Sequence, residues 1–227
     1  MPKPILVCCD RDGTINVDDN YYLGSQEHWR ELIKFLPGVV IGIKRLNEAK
    51  IPVLITSNQA GVALTGPCPE LGLNFDLLTE ERMHIVNIYI VQLLRRQGAH
   101  ISGYQTCPYV DNDYVEKIRN RSWRVNPNFV RDNHEDIKPN TGMIEKVARG
   151  LGGGLEDFEV YVIGDRDSDV QMGLNAGGSG ILVAGSKTVE RGDVEKVREL
   201  TKSNSGRVYV AGDFLDAARY IIAQTSS

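Results

Sequence analysis

Asp10 and Asp12, separated by one residue, follow the apolar run Ile5 to Cys9 and precede Gly13 and Thr14 in the stretch ILVCCDRDGTIN. Carboxylates at the end of a buried strand mark a site, because a buried charge without a partner or a cation is expensive. Strand alternation would point both to one side, where one can ligate a cation and attack an electrophile while the other manages a proton. Gly13 then allows a sharp turn without a Cβ. A plainer reading is a strand-end Asp-Gly turn. A calcium loop of the EF-hand type is excluded by spacing, since its glycine falls at the sixth position and Gly13 is fourth from Asp10.

Three further places carry polar groups of the same kind. A second apolar run, Pro52 to Thr56, leads into Ser57, Asn58 and Gln59; Lys138 stands before Pro139 and Asn140; and Val160 to Ile163 leads through Gly164 into Asp165 and Asp169. In an open parallel sheet, ligands bind outside the carboxyl ends of the strands, so this ordering assembles one site from segments far apart in the chain.

The elements that must hold these residues follow from periodicity. Helical spacing runs from Pro37 to about Lys50, from Thr79 to Gln97 with Glu80 and Glu81 in its first turn, from Gly142 to Leu151, from about Ser168 to Ala176, near Val189 to Thr201, and from Asp213 to Gln224. Ile101 to Thr106, Gly180 to Val183 and Arg207 to Val210 read as further strands. Val17 to Phe35 reads as loop over the site mouth. Strands alternating with helices imply right-handed crossovers and a mainly parallel sheet in a Rossmann-like three-layer α/β/α sandwich. The chain, 1–227, is expected to form a single domain with loop insertions at about 63–78 and 107–137 and no large cap domain.

The 227 residues carry a net charge of −4, which gives no general attraction to nucleic acid or anionic membrane. No stretch approaches the ~20 apolar residues of a membrane span, and the N-terminus has no signal-peptide core, so a cytoplasmic protein is expected. Cys8, Cys9, Cys68 and Cys107 lack a framework spacing, which suits reduced thiols. Gly180 to Thr188 imitates a P-loop, but Ser186 separates Gly185 from Lys187. Asp165, Asp167 and Asp169 imitate a calcium loop, but Val170 stands where its glycine should be.

Taken together, DRDGTIN, TSNQAGVA, KPNTGM and GDRDSDVQMG resemble the four motifs of the haloacid dehalogenase (HAD) superfamily of phosphohydrolases, over Ile5 to about Val183. They are most similar to the branch without a large cap, whose members act on heptose bisphosphates, histidinol phosphate or polynucleotide 3′ ends. The resemblance implies Mg²⁺-dependent phosphomonoester hydrolysis. Asp10 would form an aspartyl-phosphate and Asp12 would act as acid and then base. Asp10, Asp165 and the main-chain carbonyl of Asp12 would hold Mg²⁺; Gly13, Thr14, Ser57 and Asn58 would contact the phosphate; Lys138 would offset its charge. Asp169 would orient Lys138 or the metal shell. A phosphomutase-type transfer is disfavoured by the missing cap, and a non-catalytic phosphate-binding protein by the presence of every motif residue.

The same branch carries a structural zinc loop before the lysine. Here Cys107 is kept, Tyr109 replaces a histidine, His134 and Asp136 stand at two cysteine positions, and Ile137 replaces an arginine. Three mixed ligands do not close a structural zinc site, so none is expected. Lys117, Arg119, Arg121, Arg124 and Arg131 crowd the second insertion beside Trp123, amid acidic residues that would make a solvated loop. Arg121 and Arg124 are nevertheless candidates for gripping the rest of a small phosphorylated substrate, with Trp123 stacking on it. The sequence leaves the substrate and the oligomeric state open.

Overall fold

Every residue of β1 (Ile5–Cys9) is buried, so the strand must lie inside the sheet with both faces covered. The computed structural model describes residues 3–18 and 22–224; residues 19–21 of the expected mouth loop lie outside them. After β1 the chain runs through α1 (Val39–Glu48), β2 (Val53–Asn58), β3 (Leu64–Thr65), β4 (Pro67–Cys68), β5 (Leu73–Asn74), α2 (Glu80–Arg96), β6 (Gly103–Cys107), α3 (Asn112–Lys117) and β7 (Arg124–Val125). It continues through α4 (Gly142–Gly150), β8 (Glu159–Gly164), α5 (Asp167–Asn175), β9 (Ser179–Val183), α6 (Ser186–Glu190), α7 (Asp193–Ser203), β10 (Val208–Ala211) and α8 (Phe214–Gln224).

The central sheet has the order β10-β9-β8-β1-β2-β6, with every adjacent pair parallel. Alternation along β1 sorts the core into two layers. Ile5, Val7 and Cys9 pack with Ile43 of α1, Ile90 of α2 and Phe214 of α8, whereas Leu6 and Cys8 pack with Ile144 of α4 and Met172 of α5. The expected α/β/α sandwich is therefore present. All four cysteines are free and buried. Among the described residues no helix is long and apolar enough to cross a membrane.

β1 is the strand from which the chain winds both ways, toward β2 and β6 on one side and toward β8, β9 and β10 on the other. Register brings Cys9 opposite Ile163 and Ile55, so Asp10, Asp165 and the end of β2 emerge together at one edge. β2 runs two residues past the expected Thr56, which places Ser57 and Asn58 on the strand itself. The helix expected near Val189 to Thr201 is broken into α6 and α7, where Gly192 adopts a φ of 71°.

The two insertions are not loose loops. β3 pairs antiparallel with β7, and Leu64, Cys68, Leu73, Phe75 and Ile118 form a small core of their own beneath Tyr22, Tyr114 and Trp123. Apolar residues scattered through polar sequence show no periodicity because they pair through two-residue strands, within the first insertion and between the two.

Candidate active site

Lys138, 7% exposed, joins the ends of two strands. Its Nζ donates to Asp10 Oδ1 at 2.6 Å and to Asp169 Oδ1 at 2.8 Å, while its backbone N–H donates to Asn58 Oδ1 at 3.2 Å. Burial alone would lower the lysine pKa, but the two carboxylates reverse the balance and raise it, so the ammonium is fixed in its charged form. Burial raises the Asp10 pKa, with Asp169 and Asp12 adding to the effect and Lys138 opposing it. The second Asp169 oxygen accepts from the Arg166 backbone N–H at 3.1 Å.

Asp12 belongs to a different network. β1 ends at Cys9, so strand alternation does not reach Asp12; a tight turn with Gly13 N–H donating to Asn16 O at 2.8 Å carries the chain instead. Arg11 donates to both Asp12 oxygens, from Nε at 3.1 Å and from Nη2 at 2.7 Å. Gln59 and Asn16 donate to the same carboxylate at 2.9 and 3.0 Å. Burial would raise the Asp12 pKa, but Arg11, Gln59 and Asn16 outweigh it and hold the group below the usual carboxylate range.

The acidic end of the site fits a hard cation. Oxygens of Asp10, Asp165 and Asp169 lie within 4.8 Å of one another. Both Asp169 oxygens are already engaged, which leaves Asp10 and Asp165 as the residues of the cluster that could ligate one. Arg191 donates to Asp165 Oδ2 at 2.6 Å and to its main-chain carbonyl at 2.8 Å, so the other oxygen, Asp165 Oδ1, is buried with no partner. An unpaired buried carboxylate oxygen beside a second carboxylate is what an all-oxygen Mg²⁺ shell requires. Gly13 lines this spot at a φ of 86°; a Cβ there would stand 2.6 Å from Asp165 Oδ2.

The remaining expectations divide. Ser57 is buried and accepts from Gln59 Nε2 at 3.0 Å, Asn58 is exposed at the strand end, and Thr14 is wholly buried with an unpartnered hydroxyl. Trp123 is not free to stack on a ligand. It packs edge-on against Phe75 and Tyr22, with ring centroids 5.1 and 5.9 Å away. Arg121 is exposed, 5.7 Å from the Trp123 ring centroid, and Arg124 lies exposed on β7. Neither bonds to the acidic cluster. The imitation P-loop becomes the end of β9 and the short α6, and Lys187 is turned toward Asp18.

Cys107, His134 and Asp136 do not converge as ligands among the described residues. Cys107 Sγ faces Tyr109 O at 3.9 Å, the His134 ring lies 4.3 Å from that of Tyr109, and Asp136 is ion-paired with Lys146. A lysine ammonium at the carboxylate does not fit a zinc ligand set.

Arg11, Gln59, Asn87 and Arg191 had been given no role. Asn87 left a trace, as a polar residue on the buried face of α2 with Met83, Val86, Ile90 and Leu94. Arg191 left none, lying outside every motif.

A parallel sheet that delivers buried aspartates and a charged lysine to one carboxyl edge, with room for a cation, defines a phosphohydrolase of the HAD type. Residues 137–217 match the HAD-hydrolase-like family. The D-glycero-beta-D-manno-heptose-1,7-bisphosphate 7-phosphatase of Rhodopseudomonas palustris is 30% identical over 184 residues, covering 81% of this chain and 86% of its own. The corresponding D-glycero-D-manno-heptose-1,7-bisphosphate 7-phosphatase of Thermosynechococcus vestitus is 27% identical over 227 residues, 97% of this chain and 96% of its own. The crystal structure of the D,D-heptose 1,7-bisphosphate phosphatase of B. bronchiseptica, complexed with magnesium and phosphate, superposes with a TM-score of 0.65 at 22% identity, covering 97% of this chain and 99% of that one. The chain belongs to the HAD family and is a phosphatase.

Proposed function

We propose that this phosphatase hydrolyses a phosphomonoester of a small sugar bisphosphate, of the heptose bisphosphate kind, through an aspartyl-phosphate on Asp10. The observation that carries the reading is the Asp10 carboxylate held by Lys138 beside the unpartnered oxygen of Asp165. In the first half-reaction an Asp10 oxygen attacks phosphorus, the ester P–O bond breaks, and Asp12, protonated for this step against the pull of Arg11, Gln59 and Asn16, gives that proton to the leaving oxygen. In the second, Asp12 takes a proton from water, which attacks phosphorus and releases orthophosphate and the Asp10 carboxylate. Lys138 stays protonated throughout and offsets charge on Asp10 and the transferred group. Ser57 and Asn58 face the phosphate, with Gly13 and Thr14 forming the turn around it, and the exposed Arg121 and Arg124 meet the distal part of the substrate. Asp10 and Asp165, with the Asp12 carbonyl, would hold Mg²⁺, which when bound screens the anionic phosphate from the anionic nucleophile.

The names of the relatives support the heptose class. The test is phosphate release from D-glycero-D-manno-heptose 1,7-bisphosphate, histidinol phosphate and a 3′-phosphorylated oligonucleotide, each with Mg²⁺ and with excess chelator. The bisphosphate should be preferred by kcat/KM and chelator should abolish turnover. Preference for either of the other two esters overturns the substrate, and full activity in chelator overturns the cation.

A further inference from the structure

Among the described residues Arg11 is the largest charged side chain to be fully buried, at 0% exposure, and its neighbours explain why it lies there. Besides its two bonds to Asp12, Nη2 donates to Gln59 Oε1 at 2.7 Å and Nη1 donates to Asn87 Oδ1 at 2.9 Å. Gln59 in turn donates from Nε2 to both Asp12 and Ser57 Oγ. A continuous chain of hydrogen bonds thus runs from Asn87 in α2 through Arg11 to Asp12, and through Gln59 to Ser57 on β2.

The Asp12 side chain is 24% exposed and that of Arg11 not at all, so the carboxylate reaches the site mouth and the guanidinium cannot touch a substrate. A planar guanidinium that spans both oxygens of a carboxylate fixes its rotation as well as its place, which an ammonium cannot do. Asn87 performs the same service for Arg11, from a helix packed on the sheet.

We propose that Arg11 is a positioning residue for the phosphatase reaction, acting chiefly through Asp12: it holds the Asp12 carboxyl group in the orientation from which it passes a proton to the leaving oxygen. The inference rests on the acid role given to Asp12 above. A leaving group that departs easily needs little from that proton, and a poor one needs it most, so misplacing Asp12 shows as a graded loss along a series of esters. General acid catalysis typically contributes about 10²–10⁴-fold. Misorientation without removal of the acid should cost part of that.

The experiment measures single-turnover release of the leaving group, with Mg²⁺ and enzyme in excess, for aryl phosphates running from p-nitrophenyl phosphate to phenyl phosphate and on to an alkyl phosphate. Wild type, Asp12→Asn, Arg11→Gln, Arg11→Lys and Asn87→Ala are compared. Asp12→Asn should steepen the dependence on leaving-group acidity most. Arg11→Gln should steepen it in the same sense, losing on the order of tenfold or more on the alkyl ester and less than about threefold on p-nitrophenyl phosphate, within the span of general acid catalysis. Arg11→Lys should fall between wild type and Arg11→Gln, and Asn87→Ala should give a smaller change of the same sign. KM should stay near wild type in all the Arg11 and Asn87 variants.

If Asp12→Asn steepens the series and Arg11→Gln does not, the positioning role is wrong while the acid role of Asp12 stands. If Asp12→Asn leaves the series flat, the acid role itself falls. An equal loss on every ester in Arg11→Gln makes Arg11 a merely structural ion and overturns the proposal. Should Arg11→Gln fail to fold, Asn87→Ala decides, and a slope equal to wild type in that variant overturns it as well.

Discussion

Lys138 Nζ and Asp10 Oδ1, 128 residues apart in sequence, meet at 2.6 Å with side chains only 3% and 12% exposed. Replacing the lysine with methionine leaves Asp10 and Asp169 buried side by side without a cation. Breaking a buried ion pair from one side typically costs about 3–5 kcal/mol. Lys138→Met should therefore lose that order of stability in urea unfolding of the metal-free protein, as well as nearly all turnover. Lys138→Arg should rescue little, since a planar fork cannot occupy a point-charge position between two carboxylates. Unchanged unfolding in Lys138→Met would mean that the pair adds nothing to the fold.

Gly13 and Asp165 stand in a second relationship of the same kind, a backbone position that leaves no room. Alanine at a φ of 86° is strained by about 1–2 kcal/mol, and its Cβ would press on Asp165 Oδ2 from 2.6 Å. Gly13→Ala should lower the melting temperature by a few degrees and raise the Mg²⁺ concentration needed for half-maximal activity severalfold. A lowered melting temperature with an unaltered Mg²⁺ requirement would separate Gly13 from the cation site.

How much of this could be read from sequence depended on where each contact is made. Asp10, Ser57 and Asp165 were legible because each ends an apolar run whose period gives way at that point, and a parallel sheet gathers such ends. Lys138 became legible only through the motif around it. The partners of Asp12 were hidden, because Gln59 and Asn87 meet Arg11 across 48 and 76 residues, and only the packing of β2 and α2 on β1 brings them there. Trp123 was misread for the same reason: its ring partners, Tyr22 and Phe75, lie on other segments. The sheet's class was visible in the alternation of elements, whereas the pairing of β3 with β7 involves strands too short to carry a period.

Asp18, with a side chain 12% exposed, gives the protein a pH dependence of known sign. Burial, and next the charge of Asp12, push its pKa from 3.8 up to about 6, against Lys187 and Arg166. Below about pH 4 the group is protonated in the folded and unfolded chains alike. Between about pH 4 and 6 the unfolded chain sheds its proton while the folded one keeps it, so stability falls as pH rises through that window. Asp18→Asn removes this loss. Its unfolding free energy should match wild type near pH 4 and exceed it by about 1–2 kcal/mol at pH 8, discounting a shift worth 1.36 kcal/mol per unit for the ion pair with Lys187 that is lost. A wild-type-minus-variant difference that stays constant with pH would show that Asp18 titrates as an ordinary aspartate.

The second insertion separates two kinds of loss. Trp123 is a packing residue, and deleting a large buried aromatic costs about 3–5 kcal/mol when burial is complete. Being half-buried, Trp123→Ala should lose about 2–3 kcal/mol. Its activity per folded molecule should fall most on the bisphosphate, because the β3–β7 unit that loosens carries Arg124. Arg121 is exposed beside that unit, and its charge reaches Tyr22, whose hydroxyl meets that of Tyr114 at 2.8 Å. A charge-assisted hydrogen bond to a distal phosphate is worth about 1.5–3 kcal/mol. Arg121→Ala with Arg124→Ala should accordingly raise KM for the bisphosphate by about tenfold or more, without a stability change and with p-nitrophenyl phosphate hydrolysed as before. An equal rise for both esters would place the arginines at the reacting phosphate instead, and no rise for either would leave them as solvated charges on the surface of the insertion.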